Sequence, residues 1–324
     1  MYAYFYFMKK ILTGLLICFS VAVVAQTTDS SYKAVDDYVN KIGKLDTMNL
    51  GTITYLITKK FPEPKDKVRA IFNWITNNIS FDCKAARNVD NTKTSSDLVL
   101  KTRKTNAGGY AALFQDMCSV VKIRCLTVDG YLKNNVEQID EKPDELNHTW
   151  AVVQLGQSPE TWHYIDPALG SGYTDEKIAT FIKSYNDDYF FADKKIFNYQ
   201  HFADNSAWQI GPGPKSLKEF IGLPLVQNAS YEYGINNFIP ASGKIKTKSS
   251  KPVQFSFKIN PDIKIEIVSL EIGETKKKKR KTVDYTESNG AVNFSYKFEE
   301  DDTIPVTILI NNKPVLGYRV EVTE

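Results

Sequence analysis

The run Asn106-Ala107-Gly108-Gly109-Tyr110-Ala111 constrains the fold more than any other stretch of this chain. Asn is a strong helix N-cap, and Ala111, Leu113, Phe114, Met117, Cys118 and Val121 then recur on one face at helical spacing. A helix entering the core from its first turn is the expected result. Three runs with β-branched and aromatic alternation follow, Arg124 to Tyr131, His148 to Leu155 and Thr161 to Asp166. Between the first two, Asn134 to Asn147 is acidic and contains proline, which reads as a loop or hairpin excursion. Helix followed by neighbouring strands predicts an α+β core in which helices pack on an antiparallel sheet.

The flanking segments carry further patterns. Tyr32 to Ile42 and Ile53 to Lys60 are short amphipathic pieces, closed by Phe61-Pro62-Glu63-Pro64. From Lys65 to Asn78, Val68, Ile71, Phe72 and Ile75 recur at helical spacing with Trp74 beside them, predicting a helix that packs on the one starting at Ala107. Residues 85 to 102 are polar and read as a loop with a helical turn around Leu98 to Leu100. From about Val226 only strand patterns remain: Val253 to Ile259, Ile263 to Ile272, Ala291 to Phe298, Ile304 to Ile310 and Pro314 to Val322. Asn260-Pro261-Asp262, Asn289-Gly290 and Asn311-Asn312 punctuate them, the pattern of an all-β, immunoglobulin-like sandwich.

The N-terminus reads as a targeting signal. Met8, Lys9 and Lys10 precede an apolar run from Ile11 to Val24 and the small Ala25, so residues 1–25 are expected to be a secretory signal peptide. The alternative is an uncleaved anchor. No later segment is long and apolar enough to span a bilayer. The bulky Ile17 before Cys18 argues against lipoprotein cleavage. Cleavage after Ala25 lowers Lys+Arg from 41 to 39 against 38 Asp+Glu. That near balance gives no electrostatic case for a nucleic-acid partner. The expected location is periplasmic or secreted, with Cys83, Cys118 and Cys125 retained. An odd count leaves at least one free thiol, and Cys118 and Cys125 either bridge or stay as inert buried thiols. The basic run Lys276 to Lys281 reads as a solvated hairpin tip, with contact to an anionic polymer or headgroup as the other reading.

Two chemical positions follow the Asn106 cap. His148 sits in Asn147-His148-Thr149-Trp150, and Asp166 in Tyr164-Ile165-Asp166-Pro167. A cysteine at the first helical turn, a histidine on one strand and an aspartate on the next would form a thiol triad, the helix N-terminus and the imidazolium lowering the thiol pKa. Ala107 occupies the position such a cysteine would take.

These segments, with Trp74-Ile75, Asn78-Ile79-Ser80-Phe81-Asp82, Gly109-Tyr110-Ala111 and Val128-Asp129-Gly130-Tyr131, resemble the transglutaminase-like superfamily over roughly residues 68–173. The resemblance implies a papain-like core, a catalytic histidine at His148 and an orienting acid at Asp166. It places the thiol at Ala107, where the covalent chemistry is lost. Asp188-Tyr189-Phe190-Phe191-Ala192-Asp193, His201-Phe202-Ala203-Asp204 and Ser206-Ala207-Trp208-Gln209 look like the region after the core in kyphoscoliosis-peptidase-type proteins, extending the resemblance to about residue 234. The expected units are the signal, a transglutaminase-like domain over 26–225 and a sandwich over 226–324.

The resulting expectation is an exported pseudoenzyme binding a peptide or cell-envelope polymer, with the sandwich docking a protein partner. Tyr110, Asn147, Trp150 and Trp162 are the expected cleft residues, although tryptophans in this setting also serve as core. His163 and His201 read as structural, and no metal or other cofactor is expected, because no acidic cluster stands at ligand spacing. Two other functional readings stay open: an active peptidase or cross-linking enzyme working through another group, and an adhesion module led by the sandwich.

Overall fold

The computed structural model describes residues 32–87, 95–175, 177–274, 277–299 and 302–324. The expected signal peptide and Cys18 lie outside the described residues, as does Lys276 of the basic run.

Three helices open the described chain: α1 (Lys33–Ile42), α2 (Leu50–Thr58) and α3 (Pro64–Asn78). Asn49 caps α2 by accepting from the Thr52 amide at 2.9 Å, and proline begins α3 where its missing N–H costs nothing. Strand β1 (Ser80–Phe81) and short helix α4 (Cys83–Arg87) follow, then α5 (Ser96–Thr102) and β2 (Lys104–Thr105). Helix α5 replaces the single turn expected around Leu98. Its Ser95 cap and buried Val99 and Leu100 supply the nucleus that a mostly polar segment concealed. β1 and β2 pair in parallel, Phe81 opposite Thr105, which delivers the chain to α6 (Ala107–Val120). As the cap pattern predicts, the Asn106 side chain accepts from the Gly109 amide at 3.0 Å. Gly109 is required there: a Cβ would lie 1.9 Å from the Thr105 hydroxyl.

Strands β3 (Arg124–Leu132), β4 (His148–Gln154) and β5 (Trp162–Ile165) form the expected antiparallel sheet. Helix α7 (Pro167–Ser171), the hairpin β6 (Gly172–Thr174) and β7 (Phe181–Lys183), and α8 (Lys194–Gln200) follow. A fourth sheet strand, β8 (His201–Ala203), then pairs with the outer side of β3, giving the order β5-β4-β3-β8. Sequence periodicity did not suggest β8, because three residues are too few to show an alternation. Gly130, opposite both His148 and Ala203, lets β8 approach; a Cβ there would meet the Phe202 carbonyl oxygen at 2.3 Å. One apolar cluster joins these layers through buried Phe72, Trp74, Phe114, Trp150 and Phe197.

After α9 (Leu217–Gly222), β9 (Leu225–Val226) and α10 (Ala229–Tyr233) the chain becomes all β. One sheet holds β10 (Asn236–Ile239), β12 (Val253–Lys258), β15 (Thr286–Ser288) and β16 (Ala291–Tyr296). The other holds β11 (Lys244–Lys248), β13 (Val268–Ile272), β14 (Lys279–Thr282), β17 (Thr303–Ile310) and β18 (Lys313–Thr323), with β9 added to β18. A second apolar cluster spans both sheets. Three expectations need correction. Residues 263–267 precede β13 rather than belonging to it, and β10 and β11 were not anticipated. Nor are Lys279, Arg280 and Lys281 a hairpin tip: they are ladder residues of β14, with Arg280 opposite Glu271 and hydrogen-bonded to it at 2.5 Å. Cross-strand charge pairing is what lets such a basic segment serve as a strand.

Cys118 and Cys125 are unbridged. Burial raises the Cys118 thiol well above its ordinary pKa, and its neighbour Cys125 adds to the shift, so the Cys118 thiol is inert core.

Candidate functional site

Register brings the site together. His148 is the first residue of β4, and Asp166 immediately follows β5, which lies alongside β4. Asp166 also caps α7: its Oδ1 accepts from the Leu169 amide at 2.9 Å. That leaves Oδ2 for imidazole, and the His148 Nε2 lies 2.6 Å from it. With Nε2 committed to the carboxylate, Nδ1 is the ring nitrogen left for chemistry. Helix α6, with Ala107 at its first position, packs against β3 and β4. Asn106 takes up the Gly109 and Tyr110 amides, so the first two amides of the helix are the donors outside its ladder.

A second imidazole completes the cluster. His201, the first residue of β8 and fully buried, places Nε2 3.2 Å from the same Asp166 oxygen. Its Nδ1 is 3.3 Å from the Phe197 carbonyl oxygen, and its ring stacks on Phe197 with centroids 3.8 Å apart. Burial would raise the Asp166 carboxyl, but the His148 charge and hydrogen bonds from both imidazoles outweigh it and hold the group well below the usual carboxylate range. Burial lowers His201 to about 4, despite Asp166, so at neutral pH it is a neutral ring. A neutral ring has one N–H to give. The carboxylate is the stronger acceptor, which assigns that proton to Nε2.

The structural reading of His201 fits its burial and its stacking on Phe197, and the structure adds that it shares Asp166 with His148. No local signal marked it, since its partner is 35 positions away in the chain. His148, Asp166 and His201 also form a group whose donor atoms lie within 4.8 Å of one another, a ligand spacing not anticipated from the sequence. In the arrangement seen here those contacts are hydrogen bonds, and the 2.6 Å separation of Nε2 and Oδ2 is too short for two atoms bridged by a metal at roughly 2.0–2.2 Å from each with tetrahedral angles.

The other expected residues divide. Trp150 lies within the cluster, 1% exposed, its ring edge-on to His201 at 5.2 Å; its indole N–H has no partner among the described residues. Tyr110 is wholly buried and donates to the Ile79 carbonyl while accepting from Ser171, so it ties α6 to its neighbours. Asn147 is exposed, but its amide donates to and accepts from the Leu132 backbone, closing the loop before β4. Trp162 is at the far end of β5 from Asp166, packed edge-on to Trp208 at 5.1 Å and under the Arg124 guanidinium. The His163 ring lies tilted against Phe191, with centroids 4.6 Å apart.

Chemically, a buried carboxylate that orients an imidazole, on a strand against which a capped helix packs, suits activation of a thiol or hydroxyl. Ala107 offers a methyl group, which has neither a proton to lose nor an electron pair to attack with.

Residues 52–167 match the profile of the Transglutaminase-like superfamily. Kyphoscoliosis peptidase from Mus musculus is 33% identical over 215 residues, covering 63% of this chain and 32% of the relative, and the Homo sapiens protein matches to the same extent. The Lim and transglutaminase domain protein ltd-1 of Caenorhabditis elegans is 24% identical over 226 residues, covering 65% of this chain and 30% of the relative. The matched stretch thus spans about a third of the length of these relatives. The chain carries a transglutaminase-like domain followed by a β-rich region.

Proposed function

We propose that the protein is a transglutaminase-like pseudoenzyme, exported through residues 1–25 and retained in the periplasm or secreted, whose cleft binds a peptide or a cell-envelope polymer. The β-rich region would dock a protein partner. The observation that carries the reading is the assembled His148–Asp166 pair, 2.6 Å apart and buried, on a domain whose capped helix begins with Ala107. In this reading Ala107 stands at the thiol position, and the cluster persists because it shapes the cleft. Burying a carboxylate and two imidazoles is costly unless all are paired, and here all three are paired with one another.

The test is to install Ala107→Cys and follow its alkylation rate against pH. A thiol beside an oriented imidazole at a helix N-terminus should titrate far below the free value of about 8.5, and return toward it in the Ala107→Cys/His148→Ala double variant. A thiol that titrates near 8.5 in both would remove His148 from reach and sink the assignment. The unaltered protein, incubated with a glutamine peptide and an amine donor, should show no turnover. Turnover lost on His148→Ala would establish an enzyme instead.

A further inference from the structure

The opposite end of α6 carries a second feature unrelated to the histidine cluster. Where α2 ends, the Pro-rich link enters α3 and α6 terminates, a cavity of about 480 Å³ opens on the surface. Four lysines line it, Lys59, Lys60, Lys67 and Lys122, with exposed Tyr55 and Val120 between them, and no carboxylate lines it. None of the four forms an ion pair with another described residue. Two are held over rings: Lys60 Nζ is 4.7 Å from the Tyr38 centroid and Lys59 Nζ 5.7 Å from that of Tyr55.

Lysines at helix C-termini have an ordinary explanation, since a C-terminus carries about half a negative charge. Two such ends, those of α2 and α6, therefore offset about one of four positive charges, leaving about three uncompensated around one cavity. The chain as a whole is nearly balanced, with 41 Lys+Arg against 38 Asp+Glu, so this local excess is not a reflection of bulk composition. Lys122 adds an independent observation. It occupies the left-handed position just past α6, at φ 60°, where glycine is the unstrained choice. The residue at this position, whose backbone favours glycine, is a lysine that lines the cavity.

We propose that this cavity binds a compact polyanion, a ligand bearing two or more phosphate or sulfate groups. A single monoanion would leave most of the positive charge unmatched, whereas several oxyanion groups within one cavity engage the lysines together. Helix α6 rises about 1.5 Å per residue over its 14 residues, so the cavity lies on the order of 20 Å from Ala107 and is independent of the pseudoenzyme reading.

Isothermal titration of the full chain with inorganic tripolyphosphate and, separately, with sucrose octasulfate tests this, the two arms distinguishing phosphate from sulfate. At least one is expected to bind with a stoichiometry of about one, and to weaken at least tenfold in Lys59→Glu/Lys60→Glu. Lys122→Gly is expected to weaken binding several-fold while raising the unfolding midpoint, a pairing that a misfolded variant would not produce. Arg280→Glu/Lys281→Glu on β14 should leave binding unchanged. Failure of both probes to bind at millimolar concentration, or loss of binding in the β14 variant with retention in the Lys59/Lys60 variant, would overturn the proposal.

Discussion

The two apolar clusters of this chain are built on different rules. The β-rich half is joined by Phe255, Phe257, Val306, Ile308 and Tyr318, and a buried polar side chain such as Ser269 is the exception. The helical half buries Arg69, Asn73, Asn106, His148, Asp166, Asn198, Gln200 and His201 among its aromatics. Arg69 alone makes two bonds to Asp36, at 2.9 and 2.7 Å, and a third contact to Asp187. An apolar core is tolerant, because hydrophobic volume can be redistributed; a core of paired polar groups is not, because every member left without its partner is left desolvated. The contrast teaches where chemistry has been accommodated in the fold: in the half that accepts the desolvation cost of buried charge.

That contrast can be broken, beginning with the largest effect. Asp166→Ala removes the acceptor of two imidazoles and the α7 cap together, and should lower stability by roughly 3–5 kcal/mol in denaturant unfolding. A loss below 1 kcal/mol would mean that the cluster is solvated and the contrast false. Acid should then separate the two halves. His201 has a folded pKa of about 4, below the ordinary 6.5, so the unfolded chain binds the extra proton between these values and stability falls as the pH drops from 6.5 to 4. The loss should be on the order of 3 kcal/mol at one proton over that span. Asp166, held low by its partners, adds a further loss below about pH 4. His201→Gln should flatten the first step and leave the second; an unchanged profile would assign the acid sensitivity elsewhere.

The alkaline counterpart concerns Lys133, at the junction of the two halves. Its ammonium is buried without a carboxylate partner among the described residues and donates to the Phe220 and Leu223 carbonyls at 2.9 and 2.6 Å. Burial lowers its pKa to about 7, so the unfolded chain holds more protons above that value and stability should climb as pH rises from 7 toward 9.5. Lys133→Met should abolish this climb, as read from unfolding midpoints across that range. Ser269→Ala should matter least. Its buried hydroxyl has no partner among the described residues, so removing it should shift stability by no more than about 0.5 kcal/mol, in the stabilising direction if at all.

Much of the scaffold was legible because periodicity is local. Helices α3 and α6 announced themselves by apolar spacing and by the Asn106 cap, and β3 to β5 by alternation and chain order. His148 and Asp166 were legible as a pair because each sits at the end of one such strand. What escaped detection depends on contacts distant in the chain. Strand β8 exists because Gly130 admits it, and His201 reaches the site only by that pairing. The buried Arg69 looks like a surface residue of an amphipathic helix until Asp36 and Asp187 are folded against it. Arg280, in a row of like charges that suggests solvent and a loop, finds its partner in Glu271 on the opposite strand. Tyr110 and Trp162 show the converse error, in which aromatic residues near a motif were taken for its walls.

The short strand β9 has a consequence for how this molecule can be taken apart. Leu225 and Val226 come from the segment that leaves the helical half, yet they hydrogen-bond to Gly317 and Leu316 of β18. Arg319 reaches back across the same seam to the Ile139 carbonyl and Glu141. The seam is thus stitched from both sides, and a cut just after residue 226 would strip β18 of a neighbour and bare a raw hydrogen-bonding edge. A fragment so made would invite pairing with another copy of itself, and its stickiness would be an artefact of where the scissors fell.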